Sequence, residues 1–182
     1  MYVWARLAKM VATAKSRGAY HMGDGGRLSF RCLPTDIDTN MHLNNARYMM
    51  LADVGRIDLF MRAGLLGVAR RKKWAPMIGG LQAVYVREIK LWQRFDVVST
   101  LETWEDTQVI GRHRFVHQDG RTAAMIMTTA GVYDLVDKRF VPIDDVVTAL
   151  GQAGTPRLPT EAERIFMASH GGLRELAKRS GR

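Results

Sequence analysis

The amino-acid sequence predicts an α+β domain in which a curled antiparallel β-sheet wraps around one central α-helix. Two observations support this prediction. One long segment is apolar in almost every helical direction, and the segments that follow it have the patterns of strands. The apolar surface of the helix and the inner face of the sheet must both be shielded from water, and a sheet wrapped around the helix shields both. A chain of 182 residues, with 47% hydrophobic and 25% charged residues, fits one folded domain.

The central helix is predicted from about Asn45 to Ala63. Asn44 or Asn45 can cap its first turn, and Gly64 is typical of a helix end. The segment from Arg27 to Leu33 comes before it and alternates between apolar and polar residues, which indicates a half-buried strand. The order is therefore strand, buried helix and then further strands.

Four strands are predicted after a basic loop around Arg70. Asp119-Gly120 is typical of a two-residue hairpin turn. The last strand is apolar on both faces, as expected in the middle of a sheet. The four predicted strands are Leu81–Ile89, Gln93–Thr103, Arg112–Gln118 and Thr122–Leu135.

The predicted domain occupies residues 27–140, between a basic amphipathic extension at 1–26 and a helical tail at 141–182 that is split by Gly154-Thr155-Pro156. The extension contains an apolar pattern at helical spacing, and its first acidic residue is Asp24. It has three interpretations: a short helix docked on the domain, a basic helix on a membrane surface, or a cleaved targeting peptide. The apolar residues of the pattern are Trp4, Leu7, Ala8 and Val11.

Composition excludes several classes of protein. The longest stretch without Asp, Glu, Lys or Arg is Trp74–Val86, too short for a membrane-spanning helix. Cys32 is the one cysteine, which excludes an internal disulfide and fits a reducing compartment. His113 and His117 are four apart on a predicted strand, so no metal site is expected. A net charge of +9 favours anionic partners.

The segment with the most chemical information runs from Asp36 to Tyr48, directly before the predicted helix. A helix start offers unpaired N–H groups and a partial positive charge, which can polarise a carbonyl oxygen. A nearby carboxylate can attack that carbonyl or take a proton from water. In an extended chain Asp36 and Asp38 would point the same way, which favours a base at one of them. Of the two, Asp36 is expected to be structural, and the alternative role of Asp38 is to cap a turn with its side chain.

This segment resembles a known family. Asp-x-Asp, His42 and then Asn-Asn-Ala-x-Tyr are similar to the 4-hydroxybenzoyl-CoA thioesterase-like branch of the hotdog superfamily, and to THEM6-like proteins in particular. The continuation Leu51–Arg56 also fits, and the resemblance covers roughly Arg27 to Phe140. It implies a hotdog fold, a homodimer or homotetramer, and hydrolysis of acyl-CoA or another acyl thioester. No cofactor is expected, since coenzyme A enters as part of the substrate.

The resemblance also implies roles for individual residues. Asp38 matches the family's catalytic carboxylate, as nucleophile or general base. His42 matches the motif histidine at the helix entrance, and its alternative role is a hydrogen bond across the turn. Asn44 and Asn45 match paired asparagines that cap the helix and are candidates for substrate contact. Met41 is at a position where the family often has Gly. Because Met allows fewer φ and ψ angles than Gly, the backbone has less freedom to approach a ligand there.

Two residues within the helix are further candidates for substrate binding. Tyr48 is expected in the core or in the lining of an acyl tunnel. Asp53 is expected either in a pocket or in an ordinary ion pair with Arg56, three residues later.

A basic cluster lies after the helix, with seven positive charges against Glu88 between residues 70 and 94. A basic rim would attract the phosphates of coenzyme A, which makes Arg70, Arg71, Lys72 and Lys73 candidate contacts. The alternatives are a solvated run of charge and contact with membrane headgroups. Aromatic residues do not alternate with the cluster as a nucleic-acid stacking platform requires, so no nucleic-acid partner is expected.

The leading hypothesis from the sequence is a cytoplasmic acyl-CoA thioesterase-like homodimer or larger assembly, with peripheral membrane contact left open. The alternative is a non-catalytic acyl- or lipid-binding hotdog protein, associated with a membrane through its basic N-terminus. A third hypothesis is an assembly protein that uses the outer face of the sheet. Release of free thiol from acyl-CoA distinguishes the first hypothesis from the second.

Overall fold

The computed structural model describes residues 3–153 and 156–180, in which five α-helices and six β-strands form. The helices are α1 (Trp4–Thr13), α2 (Asn45–Arg62), α3 (Leu65–Lys72), α4 (Ile143–Ala149) and α5 (Glu161–Ser180). The strands are β1 (Gly25–Arg31), β2 (Trp74–Tyr85), β3 (Arg94–Glu105), β4 (Gln108–His117), β5 (Thr122–Asp134) and β6 (Arg139–Val141).

All six strands belong to one antiparallel sheet with the order β1-β3-β4-β5-β2. The short β6 pairs with the last residues of β5. As the sheet order ends at β2, that twelve-residue strand has one edge without a partner strand in the described chain.

The central helix α2 packs against the inner face of this sheet, with contacts to β1, β3 and β4. Its buried side chains form a core with those of the strands, so its apolar surface is covered as the sequence predicts. The predicted α+β architecture, a curled antiparallel sheet around a central helix, is confirmed. The buried residues of α2 are Tyr48, Leu51, Ala52, Val54, Gly55, Asp58 and Leu59.

Gly55 allows α2 to lie close to β3. A Cβ atom at this position would overlap the hydroxyl of Ser99 on β3. A side chain here would therefore have to push the helix away from the sheet.

Two expectations about the region after α2 are wrong. The predicted basic loop around Arg70 is the helix α3, in which Leu65, Val68 and Ala69 form a buried face. The strand predicted to begin at Leu81 begins instead at Trp74 and ends at Tyr85.

The early start of β2 has a physical reason. Pro76 argues against a central strand, but β2 is at the edge of the sheet, where a missing N–H is tolerated. The register also shifts between Ile78 and Gly80, so the two glycines mark a bulge within the strand and not its boundary.

The other strands were predicted with smaller errors. β3 ends later than predicted, at Glu105, and β4 begins earlier than predicted, at Gln108, so both strands extend further into the hairpin that joins them. β5 ends one residue before the predicted Leu135. The three-residue β6 was not predicted, because three residues are too few to show an alternation of apolar and polar side chains.

The N-terminal helix α1 docks on the domain through one face. Arg17, just after it, donates to the buried Asp58 of α2 at 2.6 Å. Trp4 and Val11, which belong to the apolar pattern seen in the sequence, are exposed. The buried residues on the docked side are Val3, Met10 and Ala14.

The predicted C-terminal tail contains two helices, α4 and α5, as expected. Of the predicted break, Gly154 and Thr155 lie outside the described residues. The long α5 crosses the outer face of the sheet. Glu163 lies 3.4 Å from Arg112 of β4, and His170 Nε2 donates to the Gly79 carbonyl of β2 at 2.8 Å.

Candidate active site

The segment before α2 folds back on itself as a tight loop. Ile37 bridges to Leu43 in antiparallel fashion, and the Asp38 N–H donates to the His42 carbonyl at 3.1 Å. At the base of the loop, the Asn44 N–H donates to the Asp36 carbonyl at 2.8 Å. Asp38 and His42 are therefore held side by side, just before the first turn of the helix.

The Asp38 carboxylate is accessible but not turned out into bulk solvent. Its Oδ1 accepts from the Asn40 N–H at 2.9 Å and lies 3.5 Å from His42 Nδ1. The side chains of Asp38 and His42 are 21% and 30% exposed. The carboxylate is thus accessible to a molecule that approaches this loop.

Asp36 does not share the direction of Asp38, contrary to the expectation from an extended chain. Residues Pro34–Asp36 form a short 3-10 turn, which rotates Asp36 into the protein. Its carboxylate is buried and accepts from the Arg6 guanidinium at 2.5 Å and from the Leu33 N–H at 2.9 Å. Asp36 therefore holds the loop together and faces away from the candidate site.

The two asparagines lie at the start of α2, where the sequence places them. Asn44 is the N-cap, and its side-chain oxygen accepts from the Ala46 N–H at 2.9 Å. Its carbonyl accepts from the Arg47 N–H. Asn45 is exposed and begins the helix. Within the described residues its N–H has no acceptor, so one helix-start donor is free to bind a ligand.

Tyr48 is buried one turn further along α2. Its ring packs edge-on against Tyr85 at the end of β2 and against Phe115, with centroid distances of 5.1 and 4.8 Å. Burial raises the pKa of the Tyr48 hydroxyl, and the neighbouring Tyr85 adds to the rise. The hydroxyl stays protonated at neutral pH, so it is a hydrogen-bonding group and not a base. Sequence reasoning had missed Tyr85.

Asp53 forms an ion pair with Arg56 along the helix surface, the ordinary alternative that the sequence allowed. The Asp53 side chain is 40% exposed, whereas Arg56 is 11% exposed. Asp53 is thus near the surface of α2, two turns from its start.

The four basic candidates lie far from Asp38 within one chain. Arg70, Arg71 and Lys72 form the last turn of α3, and Lys73 caps it in a left-handed conformation. All four are exposed. They follow the C-terminal end of α2, whose 18 residues span about 27 Å. The structure also separates them from Arg87, Lys90 and Arg94, which lie beyond the other end of β2.

Other candidate nucleophiles and ligands are engaged elsewhere. Burial raises the pKa of the Cys32 thiol to about 11, and the Asp36 charge adds to the rise. His113 is fully buried, bonded to the Ser99 hydroxyl at 2.8 Å, and burial lowers its pKa to about 3. Among residues 3–153 and 156–180, no three or more His, Cys, Asp or Glu residues group as a metal site would require.

A groove of about 720 Å³ lies away from this loop, between α5 and the outer face of the sheet. Residues from β2 and α5 line it, among them Met77, Leu81, Phe166 and Leu173. Asp38 and His42 are not part of it. A search of the described helices finds none long and apolar enough to cross a membrane.

A match between this chain and the sequence pattern of a protein superfamily identifies its family. The model for the "Thioesterase-like superfamily" matches residues 32–150, which include the Asp38 loop, α2 and the strands β2–β6. The chain belongs to the thioesterase-like superfamily. Its curled sheet around α2 is the hotdog fold expected from the loop motif.

Curated relatives of this thioesterase-like chain include two called "Protein THEM6". The protein from Xenopus laevis is 32% identical over 97 residues, which is 53% of this chain and 47% of the relative. The protein from Danio rerio is 30% identical over 103 residues, 56% of this chain and 51% of the relative. The chain therefore spans about half the length of the curated relatives it matches.

Several solved structures share the fold at low sequence identity. YbaW, a probable thioesterase from Escherichia coli, has a TM-score of 0.64 at 17% identity, over 68% of this chain and 95% of that one. Slr0204, a 1,4-dihydroxy-2-naphthoyl-CoA thioesterase from Synechocystis, scores 0.61 at 10% identity, over 73% and 100%. SAV2348 from Staphylococcus aureus, solved in complex with CoA, scores 0.60 at 14% identity, over 78% and 94%.

Proposed function

We propose that this chain hydrolyses acyl-CoA or a related acyl thioester, with Asp38 acting at the start of α2. The observation that supports this is the loop that holds the Asp38 carboxylate beside His42, directly before the first residue of α2. Membership of the thioesterase-like superfamily supports the same reaction class.

The free N–H of Asn45 would polarise the thioester carbonyl oxygen. The helix start adds partial positive charge, which stabilises negative charge as it develops on that oxygen. The Asn44 backbone N–H cannot serve in the same way, because it already donates to the Asp36 carbonyl at 2.8 Å.

Asp38 has two possible roles that give the same products. As a general base it takes a proton from water while the water oxygen bonds to the carbonyl carbon. As a nucleophile it bonds to that carbon itself, forming an anhydride that water then hydrolyses. In both routes the carbon–sulfur bond breaks, the thiolate takes up a proton, and the products are a carboxylic acid and a free thiol.

The acyl group would lie between two copies of the chain. β2 has a free edge, and five of its apolar side chains are exposed. Pairing of β2 with the same strand of a second copy would continue the sheet and cover them. The Tyr48–Tyr85 pair lies at the end of β2 and would then line the space between subunits. The exposed residues are Met77, Ile78, Leu81, Val84 and Tyr85.

Such a dimer would also bring the basic cluster to the site. In antiparallel self-pairing about the middle of β2, the strand's first residue in one copy lies near its last residue in the other. The residues Arg70–Lys73 directly precede β2, so those of one copy would lie near Tyr85 of the other. Coenzyme A phosphates would then be bound by one copy while Asp38 of the other acts on the thioester.

A second candidate function, acyl binding without turnover, is favoured by the loop's own geometry. Asp38 Oδ1 already accepts from the Asn40 N–H, and Met41 occupies a left-handed position in which Gly is common. Acyl-CoAs of graded length, incubated with the full chain, separate the two functions. Release of free thiol with multiple turnovers supports hydrolysis, whereas saturable binding with no thiol release would overturn it.

A further inference from the structure

Two neighbouring loops at the Asp38 end of the molecule each expose a large apolar side chain. Met41 lies at the turn of the Asp38 loop, with φ of 60°, and its side chain is 57% exposed. Trp92 lies in the loop between β2 and β3, with φ of 65°, and is 54% exposed. Both are therefore bulky residues in the left-handed region, facing water.

These two loops are bonded to each other and form one surface. His42 bridges to Lys90, and the Leu43 N–H donates to the Ile89 carbonyl at 2.8 Å. The Trp92 N–H donates to the Cys32 carbonyl at 2.9 Å, at the end of β1. Met41, within the loop that carries Asp38, and Trp92, in the loop bonded to it, therefore belong to one surface.

More than half of each side chain lies outside the packed domain. Left-handed positions favour Gly or Asn, and a bulky residue there is strained. Strain of this kind at an exposed position is typical of residues retained for function. An apolar side chain that stays in water also forgoes the gain from burial. Both features point to contact with something outside the chain.

The same surface carries concentrated positive charge. Arg31 of β1 and Arg94 of β3 are directly opposite each other in the sheet, and both are exposed. Like charges in such a pair repel, so they too cost stability unless an anion lies between them. Arg87 and Lys90 add charge in the adjacent loop, where Glu88 pairs with Lys90 at 2.9 Å.

We propose that this end of the molecule docks on an anionic lipid membrane. We call it the tip surface and define it by Met41, Trp92, Arg31 and Arg94. Tryptophan favours the boundary between headgroups and hydrocarbon, where Met41 can also be buried. The paired arginines fit the phosphate of a lipid headgroup. An acidic protein would satisfy the arginines alone, so the two apolar side chains favour lipid.

Docking in this way would place the Asp38 loop at the source of acyl amphiphiles. This membrane docking goes beyond the proposed hydrolysis and does not depend on it, because Asp38 takes no part in the contact with lipid. The membrane contacts considered from the sequence involved the N-terminal segment and the basic residues between 70 and 94. The tip surface shares Arg94 with the second of these and adds Arg31, Met41 and Trp92.

Co-flotation with vesicles tests the proposal. The full chain is mixed with vesicles of phosphatidylcholine alone or with phosphatidylglycerol added, at low and high salt. We expect binding to the anionic vesicles that weakens at high salt. The double variant Met41→Asn, Trp92→Asn should bind at least about tenfold more weakly. Because Asn tolerates left-handed conformations, this variant should stay folded.

Three further variants complete the test, two as controls and one to test the arginines. Val136→Asn removes an exposed apolar side chain in the turn after β5, at the opposite end of the sheet, and should bind like wild type. Asp38→Asn should also bind like wild type, even if it loses hydrolysis. Arg31→Gln with Arg94→Gln should lose most of the salt-sensitive binding.

The proposal is overturned if wild type does not float with anionic vesicles. Equal binding by wild type and the Met41→Asn, Trp92→Asn variant would overturn it too. Saturable binding of an acidic acyl-carrier protein, with no vesicle binding, would assign the surface to a protein partner instead.

Discussion

Arg6 of the N-terminal helix donates two hydrogen bonds to the buried carboxylate of Asp36, at 2.9 and 2.5 Å. The same guanidinium donates to the Arg31 carbonyl at 2.7 Å. Since the Asp36 carbonyl accepts from Asn44 at the helix start, α1 supports the loop that positions Asp38. The N-terminal segment is thus part of the candidate site's supporting structure.

The Arg6–Asp36 pair predicts a stability effect. Arg6→Met should lower the free energy of unfolding by about 1–3 kcal/mol, because the buried carboxylate loses its closer guanidinium and keeps only the Leu33 N–H and Arg47 at 3.7 Å. The double variant Arg6→Met, Asp36→Asn should recover part of that loss. Urea unfolding measures both, and a change under about 0.5 kcal/mol in the single variant would contradict the assignment.

The close approach of α2 to β3 makes a second prediction. Gly55→Ala should destabilise the fold by about 1–3 kcal/mol, although Ala usually stabilises helices, because its Cβ would overlap the Ser99 hydroxyl. Gly67→Ala in α3 is the matched control, as a Cβ there would only touch the end of the Arg71 side chain, 3.5 Å away. We expect the control to be neutral or slightly stabilising, and equal effects at both positions would refute the close contact.

His113 predicts a pH dependence. Burial and the nearby Arg56 lower its pKa to about 3, against 6.5 for the unfolded chain. The unfolded state therefore binds a proton more readily, and stability falls as the pH drops below 6.5 towards 3. The contribution from His113 is a loss of about 2 kcal/mol between pH 7 and pH 5.

Unfolding curves of His113→Gln measured at both pH values check this. The variant should have a shallower pH slope than wild type, whatever its overall stability. A slope in His113→Gln equal to that of wild type would show that His113 titrates normally in the folded protein.

The proposed dimer can be tested by mixing two inactive variants. One is Asp38→Asn and the other carries Ala in place of all four basic residues, Arg70–Lys73. In a hybrid dimer, one site would combine an intact Asp38 with an intact basic cluster from the other copy. With random pairing, about half of the co-expressed dimers are hybrids and each hybrid has one intact site of two, so thiol release should recover to about a quarter of the wild-type rate. No recovery, with hybrid dimers present, would mean that both groups act from the same copy.

Sequence patterns were sufficient for the overall fold because the dominant signals are local. The apolar helix, the hairpin turn at Asp119-Gly120 and the alternation of β1 all reflect burial along one segment. The predictions from sequence patterns were wrong where contacts with distant parts of the chain override the local preference. Pro76 lies within a strand because β2 is an edge, and the charges of Arg70 and Arg71 concealed the buried face of α3.

The candidate site was predictable only in part for a similar reason. The motif located Asp38, His42 and the helix start, since all three lie within ten residues of each other. Arg6 and Tyr85 approach that loop from distant parts of the chain, and no local pattern indicates such contacts. The 3-10 turn at Pro34–Asp36 likewise could not be distinguished from extended chain, so the direction of Asp36 was wrong.

The rate of thiol release by Asp38→Asn, compared with wild type on the same acyl-CoA, tests the central claim most directly. Asp24→Asn, a change of an exposed carboxylate just before β1, at the edge of the sheet opposite β2, is the matched control. We predict a loss of at least about 100-fold in Asp38→Asn with its fold and oligomeric state retained, and no loss in the control. A wild-type rate in folded Asp38→Asn would contradict the account.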